Sequence, residues 1–115
     1  MIAELRAAGF PGVEAEGDTI HARLSASGAE FRAEPDGAGW HLSLTWPMRA
    51  SAAQIAAWNA AHPAAVMDLH RGETRVSLRS ETGLPDLILW AALAEVAVTA
   101  LVRWRRAQRA PGEGM

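Results

Sequence analysis

The last long stretch of the chain, residues 85–109, constrains the fold more than any other feature. It is apolar from residue 87 to residue 102, contains no internal Gly or Pro after Pro85, and then becomes basic at Arg103-Trp104-Arg105-Arg106. Such a stretch predicts one helix, roughly 35 Å long at a rise of 1.5 Å per residue. A surface helix shows a single apolar stripe, so a helix that is apolar nearly all round must be covered on more than one side. We therefore expect a sheet to cover one side and a second copy of the protein to cover part of the other.

The totals of the sequence exclude several classes of protein. With 115 residues, half of them hydrophobic, the chain is long enough for one domain with a real core. We predict a single domain over residues 1–110 and a frayed tail over residues 111–115. The net charge of -2 gives no general attraction to nucleic acid or to anionic lipid. The chain has no cysteine, which excludes disulfides and thiolate metal sites. The first six residues contain no apolar run suited to a signal peptide, so a cytoplasmic location is predicted.

The apolar stretch also has a membrane interpretation. Residues 87–102 form a candidate span by hydropathy, with arginines beside it. The run is only about 16 residues long, whereas a span needs about 20 strongly apolar residues. It is rich in alanine and carries Glu95 in its middle. A core helix is therefore the favoured prediction, and a tail-anchored membrane protein is the alternative.

Three consecutive segments alternate between apolar and polar side chains: residues 19–25, 29–34 and 40–46. Alternation of this kind is typical of strands with one buried and one solvated side. The glycine-rich turn at residues 35–39 separates the second segment from the third. We therefore predict an antiparallel meander of three strands. Residues 13–15 are strand-like as well and are followed by a Gly17-Asp18 turn.

A second helix and a second hairpin follow the meander. Ser51 and Gln54 match a capping box, and Pro63 ends the helix that this box begins. Residues 64–70 and 74–80 then alternate on either side of an Arg71-Gly72 turn. The predicted fold is therefore α+β, with a five-stranded antiparallel sheet, helices on one face and the order α-βββ-α-ββ-α.

A resemblance to a known family begins at Trp58-Asn59. These two residues end the second helix, and a hairpin, a Gly-containing loop and a long final helix follow them. Over roughly residues 51–105 this arrangement resembles the bacterial YbjN-type family, whose members are also labelled sensory-transduction regulators. The resemblance implies a secretion chaperone-like fold, a homodimer and no catalysis. The chain departs from the family in two places, so the resemblance implies no specific partner. Family members commonly follow Trp-Asn with a charged and aromatic run, whereas this chain continues as Ala60-Ala61-His62-Pro63. Their hairpin turn is usually acidic, whereas the turn here is His70-Arg71-Gly72-Glu73.

Histidines are the first candidates for chemistry. His21, His41 and His70 are predicted to point outward from the sheet, and Asp68 shares a face with His70. Convergence of these groups would suit a metal ion or a base with an orienting carboxylate. Their spacing matches no metal signature, so a solvated sheet face is the favoured interpretation. No metal and no cofactor are predicted.

The tryptophans and the arginine cluster have structural interpretations too. Trp58 shares a helix face with Ile55 and is predicted to lie in the core. Asn59 is predicted either to satisfy backbone groups at the helix end or to adopt a left-handed cap. Cations in the last turns of a helix offset the partial negative charge at its C-terminal end, which would account for the four arginines near the end of the last helix. Contact with nucleic acid or lipid is the alternative, but the outward sheet face offers no Tyr or Phe for stacking, and neither partner is predicted. The four arginines are Arg103, Arg105, Arg106 and Arg109.

No catalytic motif is visible: the sequence has no Gly-rich phosphate loop, nucleophile elbow or paired carboxylates. We therefore predict a non-enzymatic homodimeric protein-binding module, chaperone- or adaptor/regulator-like, with an unidentified protein partner. One alternative is a small-ligand binder or enzyme that uses the polar sheet face or the Trp58-Asn59 turn, and the tail anchor is the other. The predicted interface residues are Trp90, Leu93, Val96, Ala97, Ala100 and Trp104.

Overall fold

A computed structural model describes residues 1–81 and 83–113, and the side chains of these as far as residue 109. The elements in chain order are α1 (Ile2–Ala7), β1 (Glu14–Glu16), β2 (Thr19–Arg23), β3 (Glu30–Asp36), β4 (Gly39–Trp46), α2 (Ala52–Ala61), β5 (Val66–His70), β6 (Glu73–Ser80) and α3 (Leu84–Glu113). The last two residues of the predicted frayed tail, Gly114 and Met115, lie outside the described residues.

The predicted five-stranded sheet is wrong, because the sheet has six strands. The elements follow one another along the chain in the order α-ββββ-α-ββ-α. The additional strand is β1, which pairs antiparallel with β2 through Glu14↔His21 and Glu16↔Thr19. Gly17, at φ 62°, makes the tight turn between them. β1 has three residues, all exposed, and two are glutamates, which are depleted in strands. Residues 13–15 are strand-like in the sequence, but no alternation of side chains indicates that they pair with β2, and backbone pairing at the sheet edge defines this strand.

The six strands form one continuous antiparallel sheet in the order β1-β2-β3-β4-β6-β5. β4 and β6 are neighbours although α2 and β5 separate them in the chain. Their register places Leu42 opposite Leu78 and Leu44 opposite Val76. Apolar side chains are therefore aligned across the sheet on the side that the helices cover, and the meander and the second hairpin share one core.

Aromatic rings link the meander to the last helix. α3 packs over β4 and β6, and its Trp90 is fully buried. The Phe31 ring meets the Trp90 ring edge-on at 5.7 Å and the Phe10 ring at 4.9 Å. Offset and edge-on pairs are the favoured geometries for aromatic side chains. The buried residues of α3 recur at helical spacing: Leu87, Trp90, Ala94, Ala97, Val98, Ala100 and Leu101.

α2 begins at the predicted capping box. The Gln54 N–H donates to Ser51 Oγ at 3.1 Å, and the Ser51 N–H donates to Gln54 Oε1 at 2.9 Å. Two backbone donors that the first turn of a helix leaves unpaired are thereby satisfied. The helix lies against β5, the edge strand, and Trp58 is buried as predicted.

The β5–β6 turn consists of Arg71 and Gly72, as predicted. Both have positive φ, 53° and 81°. This combination is typical of the two-residue hairpin turn whose twist matches that of antiparallel strands. Among the described residues, Arg71 is the one non-glycine residue with positive φ.

Candidate functional site

One face of α3 stays uncovered and is apolar over most of its length. Ile88 is 60% exposed, Leu89 42% and Val96 47%. Large apolar side chains that lie together on a surface mark sites of interaction. We define the α3 stripe as the exposed residues at helical spacing along this face: Ile88, Ala92, Val96, Thr99 and Arg103.

A groove runs beside the stripe, between α2 and α3. Its volume is about 400 Å³. Alanines of both helices form much of its lining. At one side the Trp58 and His62 rings lie with their centroids 4.1 Å apart and their planes tilted by 36°. Small residues let another chain approach the backbone closely. The residues that line this α2–α3 groove are Ala57, Trp58, Ala61, His62, Val96, Thr99, Ala100, Arg103 and Trp104.

The predicted interface residues separate into two groups. Trp90 and Ala97 are fully buried within the chain and offer no surface to a partner, and Ala100 is 7% exposed and lines the α2–α3 groove. Leu93 and Trp104 are partly buried against the core, and Val96 is exposed. The sequence analysis missed Ile88 and Leu89, although both follow from helical spacing. Once Leu87 and Trp90 face the sheet, the positions on the opposite side of the helix must face solvent.

Trp58 and Asn59 perform structural roles. Trp58 Nε1 donates to the Ala65 carbonyl at 2.7 Å. Asn59 Nδ2 donates to the Met67 carbonyl at 2.9 Å, and the Met67 N–H donates to Asn59 Oδ1 at 2.7 Å. Asn59 thus satisfies backbone groups of β5, whereas we predicted that it would satisfy those of its own helix end. These hydrogen bonds occupy the polar groups that a ligand at the Trp58-Asn59 turn would need.

Glu95, in the middle of α3, binds backbone amides of a loop that is distant in the sequence. Its carboxylate accepts the Ala26 N–H at 2.7 Å and the Ser27 N–H at 3.2 Å. The two amides belong to the turn between β2 and β3. A carboxylate that accepts two backbone N–H bonds forms a charge-assisted pair, so Glu95 fixes this turn against the helical layer.

The membrane alternative keeps one observation in its favour. Leu84–Arg109 is long and apolar enough, by length and composition, to cross a membrane, although core helices of soluble proteins pass the same test. Of its most apolar window, 39% is buried inside the fold. The buried part includes Leu87, Trp90 and Leu101, which complete the core over the sheet.

The outer sheet face carries paired charges, and its histidines do not converge. Arg75 forms two hydrogen bonds with Asp68, at 3.0 and 2.7 Å, and lies 3.3 Å from His70 Nδ1. The hydrogen bonds that Arg75 donates to Asp68 raise the pKa of Arg75 above its usual value. His41 lies opposite Arg79, and three strands separate His21 from His70. Among the described residues no group of three or more His, Asp or Glu side chains is placed to hold a metal ion.

His21 has neighbours that the alternation pattern did not predict. Its Nδ1 lies 3.1 Å from Glu30 and its Nε2 lies 3.6 Å from Glu16. Glu16 belongs to β1, the strand missing from the predicted sheet. This cluster therefore depended on a pairing that the sequence pattern did not reveal.

The helix-dipole interpretation of the arginine cluster is wrong for most of its members. The dipole acts within the last turn of a helix. α3 ends at Glu113, and its last turn contains no basic residue. Arg103, Arg105 and Arg106 lie at least two turns before that end. Their concentration on one end of α3 needs another explanation.

No protein-family model matches this chain, and neither a curated protein nor a solved structure is significantly similar to it. The resemblance to the YbjN-type family therefore stays a prediction, as do the properties that it implies.

Proposed function

We propose that this protein is a non-enzymatic, homodimeric protein-binding module, adaptor- or regulator-like, that pairs through the α3 stripe. The exposure of Ile88, Leu89 and Val96 on one helix face is the observation that carries the proposal. Burial of apolar side chains of this size in a partner's surface removes them from water, which is the main driving force for protein association.

The stripe is complementary to itself in an antiparallel arrangement. Ile88 and Val96 lie four positions on either side of Ala92. A two-fold axis at Ala92 would set Ile88 of one copy against Val96 of the other, with the small Ala92 side chains at the closest approach. A two-fold interface uses the same patch on both subunits, so this symmetry is the one that such a stripe favours.

Charge supports the same arrangement. Asp86 lies in the first turn of α3, six positions before Ala92, and Arg103 lies eleven positions after Ala92. Antiparallel pairing about this axis brings the basic end of α3 toward the acidic first turn of the partner's helix. Parallel pairing would instead place arginines beside arginines. Complementary charges at the rim of an interface fix its register more than they raise its affinity.

The expected dimer is of modest strength. The stripe offers roughly 300 Å² of apolar surface per subunit, worth several kcal/mol before the costs of association. Interfaces well below about 1,000 Å² in total are weak or transient. We therefore expect a dissociation constant in the micromolar range, which corresponds to a standard free energy of binding of about -8 kcal/mol.

The α2–α3 groove shares Val96, Thr99 and Arg103 with the stripe, and its side toward α2 is the proposed site for a protein partner. Its alanine walls and its two tryptophans favour an apolar segment, and Arg103 at the rim favours an acidic side chain next to it. A short amphipathic helix with one carboxylate at its edge has this chemistry.

Light scattering coupled to gel filtration tests the dimer. Wild-type protein at about 100 µM should show twice the 12.3 kDa mass of one chain and should dissociate on dilution. Val96→Asp places a charge in the stripe and should give a folded monomer, because the side chain is already half exposed. Val66→Asp is the matched control, since Val66 is 50% exposed on β5, away from α3, and should leave the dimer intact. A wild-type monomer at every concentration would exclude the proposal, as would equal dissociation by both variants.

The proposal includes a cytoplasmic location. Withdrawal of α3 into a bilayer would uncover Leu87, Trp90 and Leu101. It would also break the hydrogen bonds that the β2–β3 turn donates to Glu95. Fractionation of cells that express the full chain separates this proposal from the tail anchor. Recovery in the soluble fraction without detergent supports it, and recovery only in detergent extracts of membranes contradicts it.

A further inference from the structure

A basic recess lies between the end of β4 and the second half of α3. Its volume is about 270 Å³, near the lower end of the range for small-molecule pockets. Trp46 and Val102 supply its apolar lining, and three arginines supply the rest. We define the Trp46 recess by these five residues: Trp46, Val102, Arg105, Arg106 and Arg109.

The cationic groups of the recess have no acidic partners among the side chains that the structure describes. Arg75 and Arg79, on the outer sheet face, are paired with carboxylates. Arg105, Arg106 and Arg109 form no ion pair with any carboxylate among the side chains that the structure describes. Like charges held close together repel, and an anion between them would relieve that repulsion. The protein as a whole carries a net charge of -2, so this concentration of positive charge is local.

Trp46 contributes an apolar wall to the recess. Its indole is partly buried against the core, so the position of this wall is fixed. The flat indole face beside guanidinium groups is suited to stacking against a planar ring.

We infer that the Trp46 recess binds a small anion in which a phosphate or carboxylate group is attached to a flat ring. The guanidinium groups would bind the oxyanion through paired N–H donors, which match the geometry of phosphate and carboxylate oxygens. The ring would lie on Trp46 and Val102. This site is separate from the α3 stripe and from the α2–α3 groove, and the inference does not depend on the proposed dimer.

Titration calorimetry with phenyl phosphate tests the inference, because this probe has one dianionic group and one ring. Wild-type protein should bind one equivalent with a dissociation constant of about 1 mM or tighter. Inorganic phosphate lacks the ring and should bind at least several-fold more weakly. Arg106→Gln should weaken phenyl phosphate binding about tenfold or more. Both this variant and Arg109→Gln change exposed side chains, so the fold should be retained.

Arg103→Gln is the matched control. It removes the same charge from the same helix, but Arg103 lines the α2–α3 groove and not the recess. We expect its affinity for phenyl phosphate to stay within about twofold of wild type, because Arg103 does not line the recess and so donates no hydrogen bond to the bound anion. Equal weakening by Arg103→Gln and Arg106→Gln would mean general electrostatic attraction and would overturn the inference. So would equal affinities for phenyl phosphate and inorganic phosphate, or no binding of either.

Vesicles distinguish a lipid headgroup from a soluble ligand as the source of the phosphate. Wild-type protein should not float with phosphatidylglycerol vesicles any more than with phosphatidylcholine vesicles if the ligand is soluble. Flotation with the anionic vesicles that Arg106→Gln abolishes and Arg103→Gln preserves would place a lipid phosphate in the same recess. Flotation that both variants reduce equally would overturn the inference.

Discussion

The side-chain amide of Asn59 pairs with both backbone groups of Met67, donating to the carbonyl at 2.9 Å and accepting the N–H at 2.7 Å. A neighbouring strand would form the same two bonds. Met67 lies in β5, the last strand at one edge of the sheet. One side chain of α2 therefore replaces a strand at the point where the sheet ends.

Asn59→Ala should destabilise the fold by about 1–3 kcal/mol, because it leaves two partly buried backbone groups without partners. Chemical denaturation measures the loss, and hydrogen exchange at the Met67 amide locates it. Asn59→Asp is the comparison: it keeps an acceptor for the Met67 N–H but places a carboxylate oxygen against the Met67 carbonyl, so it should destabilise too. An unchanged exchange rate at Met67 in Asn59→Ala would contradict the pairing.

Glu95→Ala should release the turn between β2 and β3. The Ala26 and Ser27 amides lose their acceptor, and we expect a loss of about 1–2 kcal/mol in the free energy of unfolding. Helix propensity cannot account for a loss, since alanine is the better helix former. Hydrogen exchange at residues 26 and 27 should accelerate. Glu34→Ala, which removes a carboxylate from the outer sheet face, is the control and should leave both amides protected.

Arg71→Asn should stabilise the protein. Arg71 adopts φ 53°, a conformation that disfavours side chains with a Cβ but that asparagine tolerates. The expected gain is about 0.5–1 kcal/mol in thermal or chemical unfolding. Arg71→Ala removes the same charge without relieving the backbone and is the control. Equal gains in both variants would attribute the effect to charge.

The sequence predicted the elements in which apolar residues recur at the spacing of a helix or a strand. Strands β2 to β6, the capping box at Ser51, the turn at Arg71-Gly72 and the long α3 all follow from apolar periodicity and from local turn chemistry. These properties depend on residues close together in the chain. β1 has no such pattern, because its three residues are exposed and its pairing is made by backbone groups.

The candidate sites depended on contacts that are distant in the chain. Glu95 lies more than sixty residues from the amides that it binds, and nothing in its own neighbourhood indicates that loop. Leu69 lies two residues after the buried Met67 but is 37% exposed, because it lies on the edge strand near the end of its pairing. The Trp46 recess likewise requires that the end of β4 lie beside the last turns of α3. Periodicity indicates which side of an element is apolar, but it does not indicate which element lies beside it.

Both edges of the sheet are closed in ways that limit aggregation. One edge is the short strand β1, with glutamates at both ends, and the other is β5, whose Met67 backbone is already paired with Asn59. Short, charged or covered edge strands prevent sheets of different molecules from pairing edge to edge, and such pairing is the route to amyloid-like fibres. Concentrated solutions of this protein should therefore resist fibre formation. Loss of Asn59 should expose the backbone of β5 at Met67 to pairing with a strand of another molecule.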